Sequence, residues 1–146
     1  MKIAIASDHA GFNLKSILCD DLVDAGHQIE DLGTHSTDSV DYPDFGYSMA
    51  QAVRSGDVDR GVLVCGTGIG ISMAANRFPE VRAAVVDGPT AARLCREHND
   101  ANVICFGERM IGVEVARESL RVFLATEFAG GRHAGRVAKL SQPMTD

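Results

Sequence analysis

With 146 residues, 45% of them hydrophobic and 23% charged, the chain is long enough to bury one proper core and fits a single domain. A formal net charge of −6, an isoelectric point near 5.3 and the lack of a long basic run argue against nucleic acid or an anionic membrane surface as partner, so any anion must be bound by locally placed donors. No apolar stretch reaches the ~20 residues of a membrane span, the N-terminus reads into a strand and not a signal peptide, and cysteines 19, 65, 95 and 105 form no CxxC pair or zinc-type spacing, which together favour a reducing cytoplasm.

The chain opens on an apolar run, Lys2–Ala6, that reads as a strand ending in the polar loop Ser7-Asp8-His9-Ala10-Gly11. Leu14, Ile17, Leu18, Leu22 and Ala25 then recur at helical spacing, with Gly26 placed as a C-terminal cap. A second strand is expected over Gln28–Asp31 and a helix over Phe45–Ser55. The third strand, Gly61–Cys65, runs into three closely spaced glycines and a helix over Gly70–Asn76. A fourth strand (Ala83–Val86) and a helix over Pro89–Glu97, closed by His98-Asn99, precede a fifth strand (Val103–Phe106). The last long helix, Gly112–Ala125, carries Val113, Ala116, Leu120 and Phe123 on one side, and a short helix or arm follows Gly130-Gly131. Strands alternating with helices indicate an α/β fold: one doubly wound, Rossmann-like three-layer domain over 1–146 with a five-stranded parallel sheet. The expected strand order is 2-1-3-4-5. Ligands in such sheets bind beyond the carboxyl ends of the strands where the order reverses, which brings the loops after strands one and three into one cleft.

The chemistry concentrates in Cys65-Gly66-Thr67-Gly68-Ile69-Gly70. Glycines let backbone N–H groups approach and surround negative charge, and a helix beginning just after them adds the positive end of its dipole. An accessible thiol at a helix N-terminus is favoured as thiolate, so a base and an anion hole would stand side by side. The spacing is not GxGxxG and no Lys-Ser/Thr follows, which removes a P-loop. Asp87, ending the next strand, keeps a dinucleotide-binding module open as an alternative, and a simple tight turn is the structural one. Asp8-His9 can cap the first helix or act as two titratable groups at the switch point. His98 shares a face with Ala91, Leu94 and Cys95 and taken alone reads as a packed or capping residue. Arg132 and Arg136 are four apart, either a two-pronged phosphate clamp on one helical face or an exposed basic helix. Cys19, Cys95 and Cys105 read as inert packing, and His27, His35 and His133 carry no signal of their own.

Several motifs in one order make the chain similar, nearly end to end, to the ribose-5-phosphate isomerase B family of sugar-phosphate isomerases, which also includes galactose-6-phosphate isomerase subunits. They are Ile5 through Phe12, Asp41-Tyr42-Pro43-Asp44, Cys65 through Gly70, Ala74-Ala75-Asn76, Glu97-His98-Asn99 and Gly131-Arg132-His133-x-x-Arg136. The resemblance implies reversible isomerisation of ribose 5-phosphate and ribulose 5-phosphate through an enediolate, without metal or organic cofactor. It implies Cys65 as the carbon base, backbone donors from Gly66, Gly68, Ile69 and Gly70 on the enediolate oxygen, and Asp8 as a proton shuttle between sugar oxygens. His98 with Thr67 would open the furanose ring, Asn99 would hold substrate oxygens, and Tyr42 would line the pocket. Arg132, Arg136, His9 and Arg109 would bind the phosphate. A second branch of the family places a glutamate base just after the loop; Ile71 stands there, so the chain looks like the cysteine branch. Partners implied are a sugar phosphate and further copies of the chain, a homodimer or homotetramer with sites at the subunit interface. Allose 6-phosphate, galactose 6-phosphate and tetrose 4-phosphates are the alternative substrates.

Overall fold

The structure, a computed structural model, describes residues 1–142; the last four positions of the expected 1–146 span lie outside the described residues. Five strands, β1 (Lys2–Ser7), β2 (Gln28–Asp31), β3 (Arg60–Cys65), β4 (Ala83–Val85) and β5 (Val103–Gly107), pair in parallel throughout. Their side chains alternate between two apolar layers. Ile3, Ile5, Val62, Val64, Ile104 and Phe106 point to one face, and Ala4, Ala6, Leu63, Cys65, Val103 and Cys105 to the other.

The first face is covered by α1 (Phe12–Asp24), α4 (Pro89–Asn99) and α5 (Val113–Ala125), which contribute Leu14, Leu18, Leu22, Cys95, Leu120 and Phe123. The second is covered by α2 (Tyr42–Ser55) and α3 (Ile69–Ala75) through Met49, Ala50, Ile71 and Ala75. The expected three-layer α/β fold is therefore present. A 3₁₀ turn (Gly131–His133) and α6 (Ala134–Leu140) follow. No helix among the described residues is long and apolar enough to cross a membrane.

Two local differences matter to function. Helix α2 begins at Tyr42, three residues before the expected Phe45, because Pro43 fits the first helical turn, where its missing N–H would have no partner. Tyr42 is thereby fixed on a helix and not left in a loop. The strand order is β2-β1-β3-β5-β4 and not 2-1-3-4-5: the last two strands are exchanged. All five residues of β5 are buried, as a strand with apolar layers on both faces requires, whereas β4 has three residues, none fully buried, and takes the edge. The reversal between β1 and β3 survives this correction, so the loops after these two strands still lie side by side.

Candidate active site

Cys65 is the last residue of β3, 4% exposed, with its side chain on the α2/α3 face. Its Sγ accepts the Gly68 N–H at 3.1 Å, and its carbonyl accepts the Glu108 N–H at 2.9 Å. Gly68 can turn its amide back onto the sulfur because it adopts a left-handed φ of 76°, and a Cβ there would stand 2.9 Å from the Phe106 carbonyl carbon. Thr67 is exposed and its hydroxyl oxygen accepts the Ile69 N–H at 3.2 Å, so the turn chemistry is realised while the hydroxyl proton stays available.

Two long side chains roof this loop. A Cβ on Gly66 would lie 3.0 Å from Arg109 Nη1, and one on Gly70 would lie 2.6 Å from Tyr42 Cζ, so each glycine allows a guanidinium or a phenol ring to lie against bare backbone. The Arg109 N–H also donates to the Gly66 carbonyl at 3.1 Å, which ties the segment after β5 to the glycine loop.

From β1, the Asp8 N–H donates to the Val64 carbonyl at 3.2 Å, placing Asp8 beside β3. Its Oδ1 accepts Ala10 N–H and Gly11 N–H at 3.0 and 3.1 Å. Capping and proton handling are compatible here, because both amides go to one oxygen. His9 Nδ1 lies 3.1 Å from the Val40 amide and anchors the strand of loop that leads to Tyr42. Cys65, Gly66 to Gly70, Arg109, Tyr42, Asp8 and His9 thus belong to the switch-point end of the sheet.

A second cluster forms elsewhere. His98, in the last turn of α4, stacks on His133 with ring centroids 4.4 Å apart and planes 18° from parallel. With Asn99, Arg136, Val137 and Leu140 they line a cavity of about 350 Å³. Arg132 lies in the 3₁₀ turn and Arg136 in α6, so the two arginines straddle a junction and do not share one regular helix as their spacing suggested. Desolvation, then His98, Arg132 and Arg136, hold the His133 imidazole below its ordinary 6.5. Among the described residues no hydrogen bond or ring contact joins this cluster to the Cys65 cleft.

Burial raises the Cys95 thiol from 9.0 to about 11, and burial likewise pushes the Cys19 thiol and the fully buried Cys105 thiol upward. The dinucleotide alternative fits poorly, because Asp87 follows β4, which β5 separates from the strand carrying the glycine loop. The first turn of α1 holds an internal anion, Glu108 Oε2 accepting the Leu14 N–H at 2.9 Å.

Residues 3–140 match the family model described as Ribose/Galactose Isomerase. The chain is 45% identical over 140 residues to ribose-5-phosphate isomerase B of Escherichia coli (strain K12), covering 96% of this chain and 94% of that one. The chain belongs to the ribose/galactose isomerase family. Among solved structures, ribose-5-phosphate isomerase B of Clostridium thermocellum aligns with a TM-score of 0.96 at 52% identity, over 97% of this chain and 96% of that one. The Thermotoga maritima enzyme of the same name aligns with a TM-score of 0.96 at 47% identity, over 97% and 98%.

In this isomerase-family chain Ile71, just after the glycine loop, is wholly buried in the α2/α3 layer. No group of three or more His, Cys, Asp or Glu among the described residues is arranged to hold a metal ion. A cavity of about 500 Å³ lies at the other end of the sheet between α1 and α5, floored by Leu18, Leu22, Leu120 and Leu124, and holds none of the candidate catalytic groups. Sequence reasoning missed His133 and Glu108. Each acts through a partner distant in sequence, His98 and Leu14 respectively, and no local pattern marks such pairings.

Proposed function

We propose that the chain interconverts ribose 5-phosphate and ribulose 5-phosphate through an enediolate with Cys65 as base. The observation that carries the proposal is the Gly68 N–H aimed at Cys65 Sγ at 3.1 Å, in the glycine loop that follows β3. With the sugar open, the Cys65 thiolate takes the proton from C2. The C2–H electrons form the C1=C2 bond while the aldehyde oxygen becomes anionic. Amides of the Gly66–Gly70 loop stabilise that oxygen, an effect worth about 3–4 kcal/mol per preorganised donor in other enzymes. The Cys65 thiol then returns its proton to C1, and Asp8 carries the proton from O2 to O1, leaving a ketone at C2. Asp8 is suited to the shuttle because its two capping bonds use Oδ1 alone.

His98 and Thr67 open the furanose ring before this step, Asn99 holds sugar oxygens and Tyr42 closes the pocket over Gly70. Arg132, Arg136, His9 and Arg109 take the phosphate by charge-assisted hydrogen bonds. Both groups of residues are needed, yet they occupy separate clusters in one chain. That separation supports a homodimer or homotetramer in which His98, Asn99 and the two arginines of one copy face the Cys65 cleft of another. The chain carries both halves, so identical copies suffice.

Turnover on four-, five- and six-carbon sugar phosphates, run in deuterated water, tests the reading. Preferred conversion of ribose 5-phosphate with solvent deuterium appearing at carbon supports it. Preference for allose 6-phosphate, galactose 6-phosphate or a tetrose 4-phosphate reassigns the substrate while keeping the chemistry, and tight dinucleotide binding without exchange removes it.

A further inference from the structure

The residue that follows His98-Asn99 is unusual. Asp100 ends α4 at φ 47°, in the left-handed region, where glycine or asparagine is the easier choice. Its carboxylate is occupied on both oxygens by arginines from different elements. Arg96 Nη1 donates to Oδ1 at 2.8 Å, and Arg82 Nη2, just before β4, donates to Oδ2 at 3.1 Å. Arg82 Nε adds a bond to the Asp100 carbonyl at 2.8 Å.

The reach of this network extends to the arm that carries His133 and the arginine pair. Arg96 is 2% exposed, and beyond Asp100 it donates to the carbonyls of Ala101 at 2.6 Å and Thr126 at 3.1 Å, with its guanidinium 5.7 Å from the Phe123 ring centre. The Ala129 N–H donates to the Glu97 carbonyl at 3.1 Å. The chain from 126 to 129 is therefore fastened to α4 at two points just before it turns to stack His133 on His98. A glycine at position 100 would end the helix without backbone strain but could bridge neither arginine. A helix terminator alone does not call for a carboxylate; holding the orientation of the helix end against β4 and the arm does.

We infer that Asp100, bridged by Arg82 and Arg96, is a positioning residue that sets the orientation of His98 for ring opening. This rests on the assignment of ring opening to His98 made above. Ribose 5-phosphate is mostly a closed ring, whereas ribulose 5-phosphate, with its C5 oxygen esterified, stays open. Exchange of a C1 hydrogen of ribulose 5-phosphate with solvent needs no ring opening and hence no proton transfer by His98, whereas conversion of ribose 5-phosphate does; both reactions use the phosphate and sugar-oxygen contacts of the second cluster, whose effect on binding is removed at saturating substrate.

The test uses Asp100→Gly and Asp100→Asn in the full chain, with His98→Ala as control, at saturating substrate. Asp100→Gly is expected to lower kcat for ribose 5-phosphate by about ten- to a hundredfold, the range for displacement of a catalytic group by a remote change, while the deuterium exchange rate of ribulose 5-phosphate stays within about twofold. Asp100→Asn, which tolerates the left-handed turn and keeps one acceptor for one arginine, should fall between it and the parent. A parallel loss of both rates, or no loss of either, overturns the inference and leaves the network a fold clamp. If His98→Ala leaves ribose 5-phosphate conversion intact, the ring-opening assignment itself is wrong and the inference falls with it. A selective defect in His98→Ala without one in the Asp100 variants sinks the inference alone.

Discussion

Replacing Cys65 with alanine separates the chemistry of the site from its architecture. The substitution removes one buried heavy atom, worth about 0.8 kcal/mol by analogy with a methylene, and one acceptor for the Gly68 amide, worth about 1 kcal/mol. A total near 2 kcal/mol corresponds to a fall in melting temperature of about 4–8 °C for a chain of this size, which leaves the protein folded at room temperature. Loss of a general base, in contrast, lowers kcat by about 10²–10⁴-fold. Thermal melting and a ribose 5-phosphate turnover assay on one preparation therefore read two quantities of very different size. A folded Cys65→Ala protein with kcat within a few-fold of the parent would falsify the assignment of the base. Melting lowered far more than expected would show that the sulfur is chiefly a packing atom.

Arg136→Ala should raise KM for sugar phosphates by about 10- to 100-fold, the worth of a charge-assisted hydrogen bond; steady-state kinetics with an unchanged KM returns Arg136 to the solvated surface. Lys15 is 1% exposed and its Nζ donates to both Asp31 oxygens at 2.7 and 2.8 Å and to the Thr34 carbonyl at 2.8 Å, so Lys15→Met should cost about 2–3 kcal/mol in urea unfolding, discounted because Asp31 is one third exposed. Lys15→Met combined with Asp31→Asn should recover part of that loss, and additive losses would contradict the pairing. Burial raises the Cys95 thiol from 9.0 to about 11, so its contribution is fully present below pH 9 and is lost as pH rises toward 11, because only the unfolded chain ionises there. Denaturant midpoints at pH 8 and pH 10.5 should drop less in Cys95→Ala than in the parent; equal drops in the two proteins would contradict this.

Much of the site was legible in the sequence because the groups that make it sit at fixed offsets from strand ends. A strand that ends in Cys65 and passes into three glycines dictates that backbone amides gather near a sulfur, whatever surrounds them, and the structure adds only which amide, that of Gly68, meets it. Asp8 could be placed in the same way, from its position one residue past β1 next to a reversal in strand order. The start of α2 is less visible, since Pro43 suits a loop as well as a first helical turn, and Tyr42 gains its place against Gly70 only through that extra turn.

Strand order beyond the switch point, the stack of His133 on His98, the Glu108 cap on α1 and the two-arginine bridge on Asp100 could not be read from the chain. Periodicity and turn chemistry act over a few residues, so they determine the layers, the parallel sheet and the glycine loop. Which of the last two strands takes the edge, and which charged groups meet across dozens of residues, depends on how complete apolar faces are covered and how buried charge is paired, and both are settled only when the layers close on one another.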